Sequence, residues 1–328
     1  MIIVTGGAGF IGSNIVAALE ARGHTDIVVC DRMASDERWQ NLAAHELAAV
    51  VSPEGLFDFL RGNEEAVEAI IHMGAISSTT ETNVGLLLES NYLFSLAVWE
   101  WCALHSVRLL YASSAATYGD GAQGFDDDAD PSELRKLRPL NAYGWSKHLF
   151  DRRAARLIDS GTNPPPQWVG FKFFNVYGPN EYHKAAQRSV VHQAWGAASA
   201  GKPVVLFRSH RDGVADGAQT RDFIYVDDVV DVVLWFLDHP KVSGLFNLGT
   251  GKARSFKDLA TAVFSALKAK ANIEYIDTPE AIRGKYQYFT EAPMQRLRAA
   301  GYTRAFNALE DGVRTYVQDF LSKDNPYR

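Results

Sequence analysis

Tyr143 and Lys147 stand four residues apart in YGWSK. On a helix, side chains at that spacing share a face, so a phenol and an ammonium lie side by side. An ordinary tyrosine ionises near ~10, too high for a base at neutral pH. A neighbouring cation favours the phenolate and lowers that value. The pair is therefore expected to move a proton at an alcohol or carbonyl oxygen. Ser114, at the end of the apolar run in YASSAATYG, offers a hydroxyl to hold the same oxygen. A Tyr and a Lys at this spacing are also common on plain amphipathic helices, so the chemistry depends on what surrounds them.

The surroundings include a phosphate cradle. Gly6, Gly9 and Gly12 directly follow the β-branched run Ile2–Thr5, and a helical stretch follows them. In such a loop the first glycine allows a tight turn, the second lets a pyrophosphate approach the backbone, and the third lets helix and strand pack closely. The helix N-terminus adds unpaired N–H groups and a positive dipole end. Phe10 and Ile11 lie inside the loop. Asp31 ends the next strand, where a carboxylate bonds the adenosine ribose of a dinucleotide. Arg32 and Arg38 follow, and a guanidinium there can meet a 2′-phosphate. Asp31 alone favours NAD, whereas the arginines favour NADP, which is the expected cofactor, with NAD as the alternative. Met73, Gly74 and Ala75, just past another strand, are further expected cofactor contacts.

Elements must hold these groups at one crevice. Ile2–Thr5, Ile27–Cys30, Ala48–Val51, Ala69–His72, Leu109–Ala112, Trp168–Phe173 and Leu245–Leu248 read as strands. Ser13–Arg22, Val84–His105, Ala142–Leu157, Asp227–Leu237, Lys257–Lys268, Ala292–Ala300 and Leu309–Leu321 read as helices. Alternation of the two predicts an α/β, Rossmann-like, doubly wound parallel sheet with a smaller mixed α/β substrate-binding domain. The expected division is 1–173 plus about 221–248 for the dinucleotide, and 174–220 plus 249–328 for the substrate. Ser209–Thr220 is polar and glycine-rich and reads as an exposed loop or lid; the polar end at Arg328 is expected to fray. His72, beside a strand end, is expected to be structural.

Composition sets outer limits. The 328 residues are 47% apolar and 22% charged, ordinary for a folded protein of this size. A net charge of −6 gives no basic footprint for nucleic acid. Cys30 and Cys102 form no metal-ligand spacing and read as buried thiols, so no metal is expected. No run of about 18 apolar residues predicts a membrane span, and the start lacks a signal-peptide pattern. The cytoplasm is the expected compartment.

TGGAGFIGSN, SSAATYG, YGWSK, FNVYGP and RDFIYVDDV together resemble the nucleotide-sugar epimerases and dehydratases of the extended short-chain dehydrogenase/reductases, along essentially the whole chain. Within them, ISSTTE (76–81), YASSAATYG (111–119), FNVYGPNEYHK (174–184), FNLGTGKARSF (246–256), RGKYQYFTEA (283–292) and LRAAGY (297–302) are similar to the ADP-L-glycero-D-manno-heptose 6-epimerases. The likeness implies C6 epimerisation of ADP-D-glycero-β-D-manno-heptose by transient oxidation and re-reduction with a tightly held NADP, for the lipopolysaccharide core. It implies a homo-oligomer, a pentamer in that family. It makes Lys184 a second acid/base beside Tyr143, with a phosphate or surface lysine as the alternative. Asn91 resembles a cofactor contact, or else an exposed helix residue. Ser77, Ser78, Ser114, Asn175, Lys184, His192, Arg221, Arg283 and Tyr286 are the expected substrate contacts. For Arg221 a diphosphate clamp stands beside a salt bridge to Asp222, and for Ser77 and Ser78 helix capping is the alternative.

Two features depart from the family's pattern: CDRMASDERW after the second strand, and a long Ser209–Thr220 loop. A hexose 4-epimerase or 4,6-dehydratase is the nearest rival. A dehydratase carries an acidic pair after the serine, where this chain has Ala115 and Ala116. A non-catalytic dinucleotide sensor is a second rival, although such proteins often lose the tyrosine or lysine.

Overall fold

The computed structural model describes residues 1–33, 37–283 and 286–328. Its strands are β1 (Ile2–Thr5), β2 (Ile27–Cys30), β3 (Ala49–Val51), β4 (Ala69–His72), β5 (Arg108–Ser114), β6 (Trp168–Phe173), β7 (Asn175–Tyr177), β8 (Val204–Phe207), β9 (Thr220–Tyr225), β10 (Gly244–Leu248), β11 (Ala253–Ser255) and β12 (Ile273–Ile276). Seven form one parallel sheet in the order β10-β6-β5-β4-β1-β2-β3. Every residue of β1, β2, β4 and β10 is buried. That burial explains their continuous apolar runs, since a strand covered on both faces has no polar side to alternate with.

Strand order reverses between β1 and β4. The chain winds outward through β2 and β3 on one side and through β5, β6 and β10 on the other. Beyond the carboxyl ends at this switch point the crossovers diverge and leave a crevice. The glycine loop, Met73–Ala75 and Ser114 all sit at such ends. Helix Phe10–Ala21 packs on helix Val226–Asp238, and helices Phe94–Leu104 and Ala142–Asp159 lie against β5.

The remaining strands make two smaller sheets, β11-β9-β7 and the parallel pair β12-β8. None of these short strands was expected from the sequence. Segment 84–104 also differs from the single helix expected. An α-turn at Val84–Leu87 and helix Phe94–Leu104 flank a π-helical turn at Leu88–Leu93. Periodicity alone does not resolve one extra residue in a turn. Leu309–Thr315 likewise continues into a π-turn at Tyr316–Leu321.

The end at Arg328 is not frayed. Its guanidinium donates to both carboxylate oxygens of Asp227 at 2.5 and 3.0 Å. Polarity signalled exposure, but the partners lie a hundred residues away in sequence.

Candidate active site

The glycine loop is built by close backbone approach. A Cβ on Gly12 would lie 2.1 Å from the Gly6 carbonyl oxygen, so only glycine lets the helix start here. Asp31 Oδ2 accepts from the Ala8 N–H at 3.0 Å, and Oδ1 accepts from the Arg38 guanidinium at 3.0 Å. Burial raises the Asp31 carboxyl above its ordinary value, and Arg38 opposes that rise. Arg32 pairs with Glu54 at 2.5 Å.

These groups border a cleft of about 740 Å³. Its lining includes Gly6, Gly9, Phe10, Ile11 and Gly12, then Asp31, Arg32 and Arg38, then Met73, Gly74 and Ala75. Ser77, Ser78, Tyr143, Lys147 and Lys184 face the same space. The cleft also takes Glu54, His183 and Gln187. Those three were missed; for His183 and Gln187 the only sequence signal was their nearness to Lys184. A dinucleotide fits this donor set: a glycine cradle at a helix N-terminus, an acid at the end of the second strand, and a buried lysine further along.

Tyr143 is delivered by helix Ala142–Asp159, which Asn141 caps by accepting from the Gly144 N–H at 2.8 Å. A Cβ on Gly144 would meet the Ala116 carbonyl oxygen at 2.6 Å. Glycine thus lets the helix press against the turn after β5. That contact sets the Tyr143 phenol beside Ser114, whose hydroxyl favours the phenolate. Ser114 Oγ also accepts from the Ala116 N–H at 3.1 Å. Ser113, which borders the cleft, donates its hydroxyl to Asp151 Oδ2 at 2.6 Å.

Lys147 is buried and donates to the Ala112 carbonyl at 2.8 Å. Burial lowers its ammonium from 10.5 to about 8. The expected depression of Tyr143 is corrected: burial raises the phenol above its ordinary value, and only the Ser114 hydrogen bond pulls it down. Lys147 is spent on a backbone carbonyl, and desolvation of the phenolate outweighs any help from it.

Lys184 comes from the short helical turn Tyr182–Gln187. Its ammonium lies 5.0 Å from the centre of the Phe10 ring, and burial lowers its proton affinity while Glu181 opposes. Ala185 beside it has φ +47°. Non-glycine residues avoid this region, and such strain clusters at functional sites. Ser78 Oγ accepts from Gln187 Nε2 at 2.6 Å, tying the two cleft walls together.

A second cleft of about 490 Å³ lies between the helix Val190–Ser199 and β8. Arg221, Phe256, Gln219 and Tyr286 line it. The Arg221 guanidinium sits 5.4 Å from the Tyr286 ring and 5.6 Å from the Phe256 ring, and donates to the Gln287 carbonyl at 2.5 Å. Arg221 does not pair with Asp222, whose carboxylate accepts from the N–H groups of Thr250, Gly251 and Ala292.

Five expected contacts are placed otherwise. Asn91 is fully buried, and its amide bonds both backbone groups of Ile76 and the Ser146 hydroxyl. It holds the Met73–Ser78 loop from beneath, with no group left for a ligand in the cleft. Ser114, Asn175, His192 and Arg283 lie outside the described lining of both clefts, Ser114 just behind Tyr143 and Ser113. Asn175 is exposed at the start of β7. His192 packs its ring against Tyr182 and Trp195, and burial lowers it to about 4. Arg283 donates to the Thr278 carbonyl. Gly284 and Lys285, within the RGKYQYFTEA likeness, lie outside the described residues. His72 is structural, bonded to Thr5 and Ser95 and lowered to about 3 by burial.

Residues 2–249 match the family described as NAD dependent epimerase/dehydratase. The ADP-L-glycero-D-manno-heptose-6-epimerase of Fusobacterium nucleatum is 44% identical over 335 residues, covering 100% of both chains. The enzyme of that name from Nitratidesulfovibrio vulgaris is 48% identical over 331 residues, again covering 100% of each. Among solved structures, Helicobacter pylori ADP-L-glycero-D-manno-heptose-6-epimerase superposes with TM-score 0.77 at 28% identity, over 97% of this chain and 95% of that one. Thermus thermophilus UDP-glucose 4-epimerase, complexed with NAD, gives 0.76 at 28% identity, over 98% and 99%. The chain therefore belongs to the NAD dependent epimerase/dehydratase family, and within it to the group of ADP-L-glycero-D-manno-heptose-6-epimerases.

Proposed function

We propose that this protein converts ADP-D-glycero-β-D-manno-heptose to ADP-L-glycero-β-D-manno-heptose, for lipopolysaccharide core synthesis. The observation that supports this is one cleft bordered by two proton-carrying side chains from different elements, Tyr143 and Lys184, and by the glycine loop. The C6 hydrogen is unactivated, and removing it as a proton would leave an unstabilised carbanion. Oxidation to an aldehyde avoids that, and inversion follows if the aldehyde turns before it is reduced. When bound, the nicotinamide dinucleotide supplies hydride acceptance and return, and its oxidised, positively charged ring favours a nearby phenolate.

The chain's own residues handle the proton. Ser114 and Tyr143 hold one orientation of the C6 oxygen, with the phenol as proton acceptor or donor. After the aldehyde turns, its oxygen lies elsewhere, and Lys184 serves it there. Arg221 binds the diphosphate, and the second cleft takes the adenosine between Arg221, Tyr286 and Phe256. Ser77 and Ser78 border the sugar.

NADP is the proposed cofactor, because Arg32 and Arg38 flank Asp31 at one end of the cleft. Both are balanced by carboxylates, Glu54 and Asp31, so a 2′-phosphate would have to displace one. Equilibrium titration decides this: tighter binding of NADP, weakened in Arg38→Ala, is expected, and equal or tighter NAD binding contradicts it. The lobes are read as 1–173 with about 221–248 for the dinucleotide, and 174–220 with 249–328 for the sugar nucleotide. A homo-oligomer, a pentamer by likeness, working in the cytoplasm completes the proposal. No helix among the described residues is long and apolar enough to cross a membrane.

The test is a product assay on purified protein. ADP-D-glycero-β-D-manno-heptose should be inverted at C6 and UDP-galactose left unchanged. Turnover of UDP-galactose instead favours the 4-epimerase alternative.

A further inference from the structure

Lys184 is a flexible side chain asked to reach one small region of a large cleft. A lysine ammonium on four methylenes is poorly preorganised. A misplacement of about 1 Å at a reacting group can cost on the order of 100-fold in rate. Something must therefore fix the backbone from which Lys184 departs.

Two different parts of the chain grip the residues just before it. On one side is the helix that follows the glycine loop. Asn14 Nδ2 donates to the Pro179 carbonyl at 3.0 Å, and Asn180 Nδ2 donates to Ser13 Oγ at 3.0 Å. On the other side is the segment Pro326–Arg328. The Arg328 backbone N–H donates to Asn180 Oδ1 at 3.1 Å, and the Tyr182 hydroxyl donates to the Pro326 carbonyl at 2.7 Å. The Tyr182 and Tyr327 rings meet edge to face at 5.1 Å.

Asn180 joins the two. It has no exposed surface, and its φ of +71° is left-handed. Its side-chain oxygen is taken by Arg328 and its amide by Ser13. Past Lys184 the turn is closed by Glu181, which accepts from the Ser189 N–H at 2.5 Å and the Ser189 hydroxyl at 2.7 Å. The strained Ala185 lies inside this closed turn. Such a conformation persists only where the surroundings over-determine it.

We infer that Pro326–Arg328, anchored to Asp227 and clasping Asn180 and Tyr182, positions Lys184 over the dinucleotide cleft. Tyr182, Asn180 and Arg328 are positioning residues and touch no reacting atom. This inference rests on the role given to Lys184 above. It adds that a strap distant in sequence registers the second acid/base against the same helix that receives the dinucleotide phosphates.

The test uses the full chain loaded with NADP and assayed on ADP-D-glycero-β-D-manno-heptose. The variants are Tyr182→Phe/Arg328→Ala, Asp227→Asn, Lys184→Ala, and the double variant carried in the Lys184→Ala background, measured with stoichiometric enzyme where slow. For the double variant we expect kcat to fall about 10- to 100-fold, with KM, NADP affinity and Tm nearly unchanged. Asp227→Asn should show a smaller fall of the same kind. The penalty should vanish when Lys184 is already alanine, because a positioning effect needs the group it positions. An unchanged kcat overturns the inference, as does a penalty that persists in the Lys184→Ala background or tracks a lowered Tm. If Lys184→Ala alone epimerises at the normal rate, the second acid/base role is wrong, which is a different outcome from a failed strap.

Discussion

At the scale of single residues, proton affinity decides the chemistry. In the proposed scheme Tyr143 and Lys184 each serve one orientation of the aldehyde, so neither replaces the other. Tyr143→Phe and Lys184→Met should each lower kcat by about 10²- to 10⁴-fold, the range for a positioned acid or base. Binding of NADP, followed by titration, should barely change. Full activity in either variant contradicts the two-residue scheme. Lys147 offers a pH test. Burial depresses its folded-state value to about 8 from an ordinary 10.5. The unfolded chain therefore binds more protons between those values, and the Lys147 contribution to stability grows as pH rises through the window. Relative to Lys147→Met, the wild type without cofactor should gain roughly 3 kcal/mol from pH 8 to pH 10.5, at 1.36 kcal/mol per unit. Denaturant unfolding at the two pH values measures it, and a flat difference contradicts the burial argument.

At the scale of elements, two contacts hold helix Ala142–Asp159 in place. Gly144→Ala drives a methyl toward the Ala116 carbonyl, 2.6 Å away. Overpacking of this kind costs about 1–3 kcal/mol. The denaturant midpoint should drop, and kcat should fall with it as Tyr143 leaves Ser114. One turn beyond Lys147, Asp151 is fully buried with Lys172 at 3.0 Å and the hydroxyls of Ser113 and Tyr111. Removing one member strands a buried charge, so Lys172→Met should cost about 3–5 kcal/mol. Adding Asp151→Leu should recover part of that in a double-mutant cycle, and additive losses contradict the pairing. Most of these elements were legible in the sequence because long apolar runs and the glycine loop carry their own signal. β1, β2 and β4 fall where β-branched runs place them, and β6 where an apolar, aromatic stretch does. The π-turn at Leu88–Leu93, the short strands β7, β9 and β11, and the docked Arg328 were not. Each depends on partners far along the chain. Asn91 shows the same limit: a helix asparagine beside a cofactor loop looks like a ligand contact until Ile76 and Ser146 are seen to occupy its amide.

At the scale of the whole molecule, the switch point between β1 and β4 brings a phosphate cradle, a phenol and a lysine to one crevice from three separated stretches of chain. Binding there favours the folded state by mass action, so the nicotinamide dinucleotide at a hundred times its Kd should add about 2.7 kcal/mol to unfolding. Absence of such a shift would argue against a dinucleotide site. The claim on which all else depends is that hydrogen leaves C6 as hydride and returns to the same carbon without meeting solvent. Substrate carrying deuterium at C6, turned over in ordinary water by the purified holoenzyme, tests it directly. The inverted product should keep its deuterium at C6. Replacement of that deuterium by solvent hydrogen would show proton abstraction instead, and the account would be wrong.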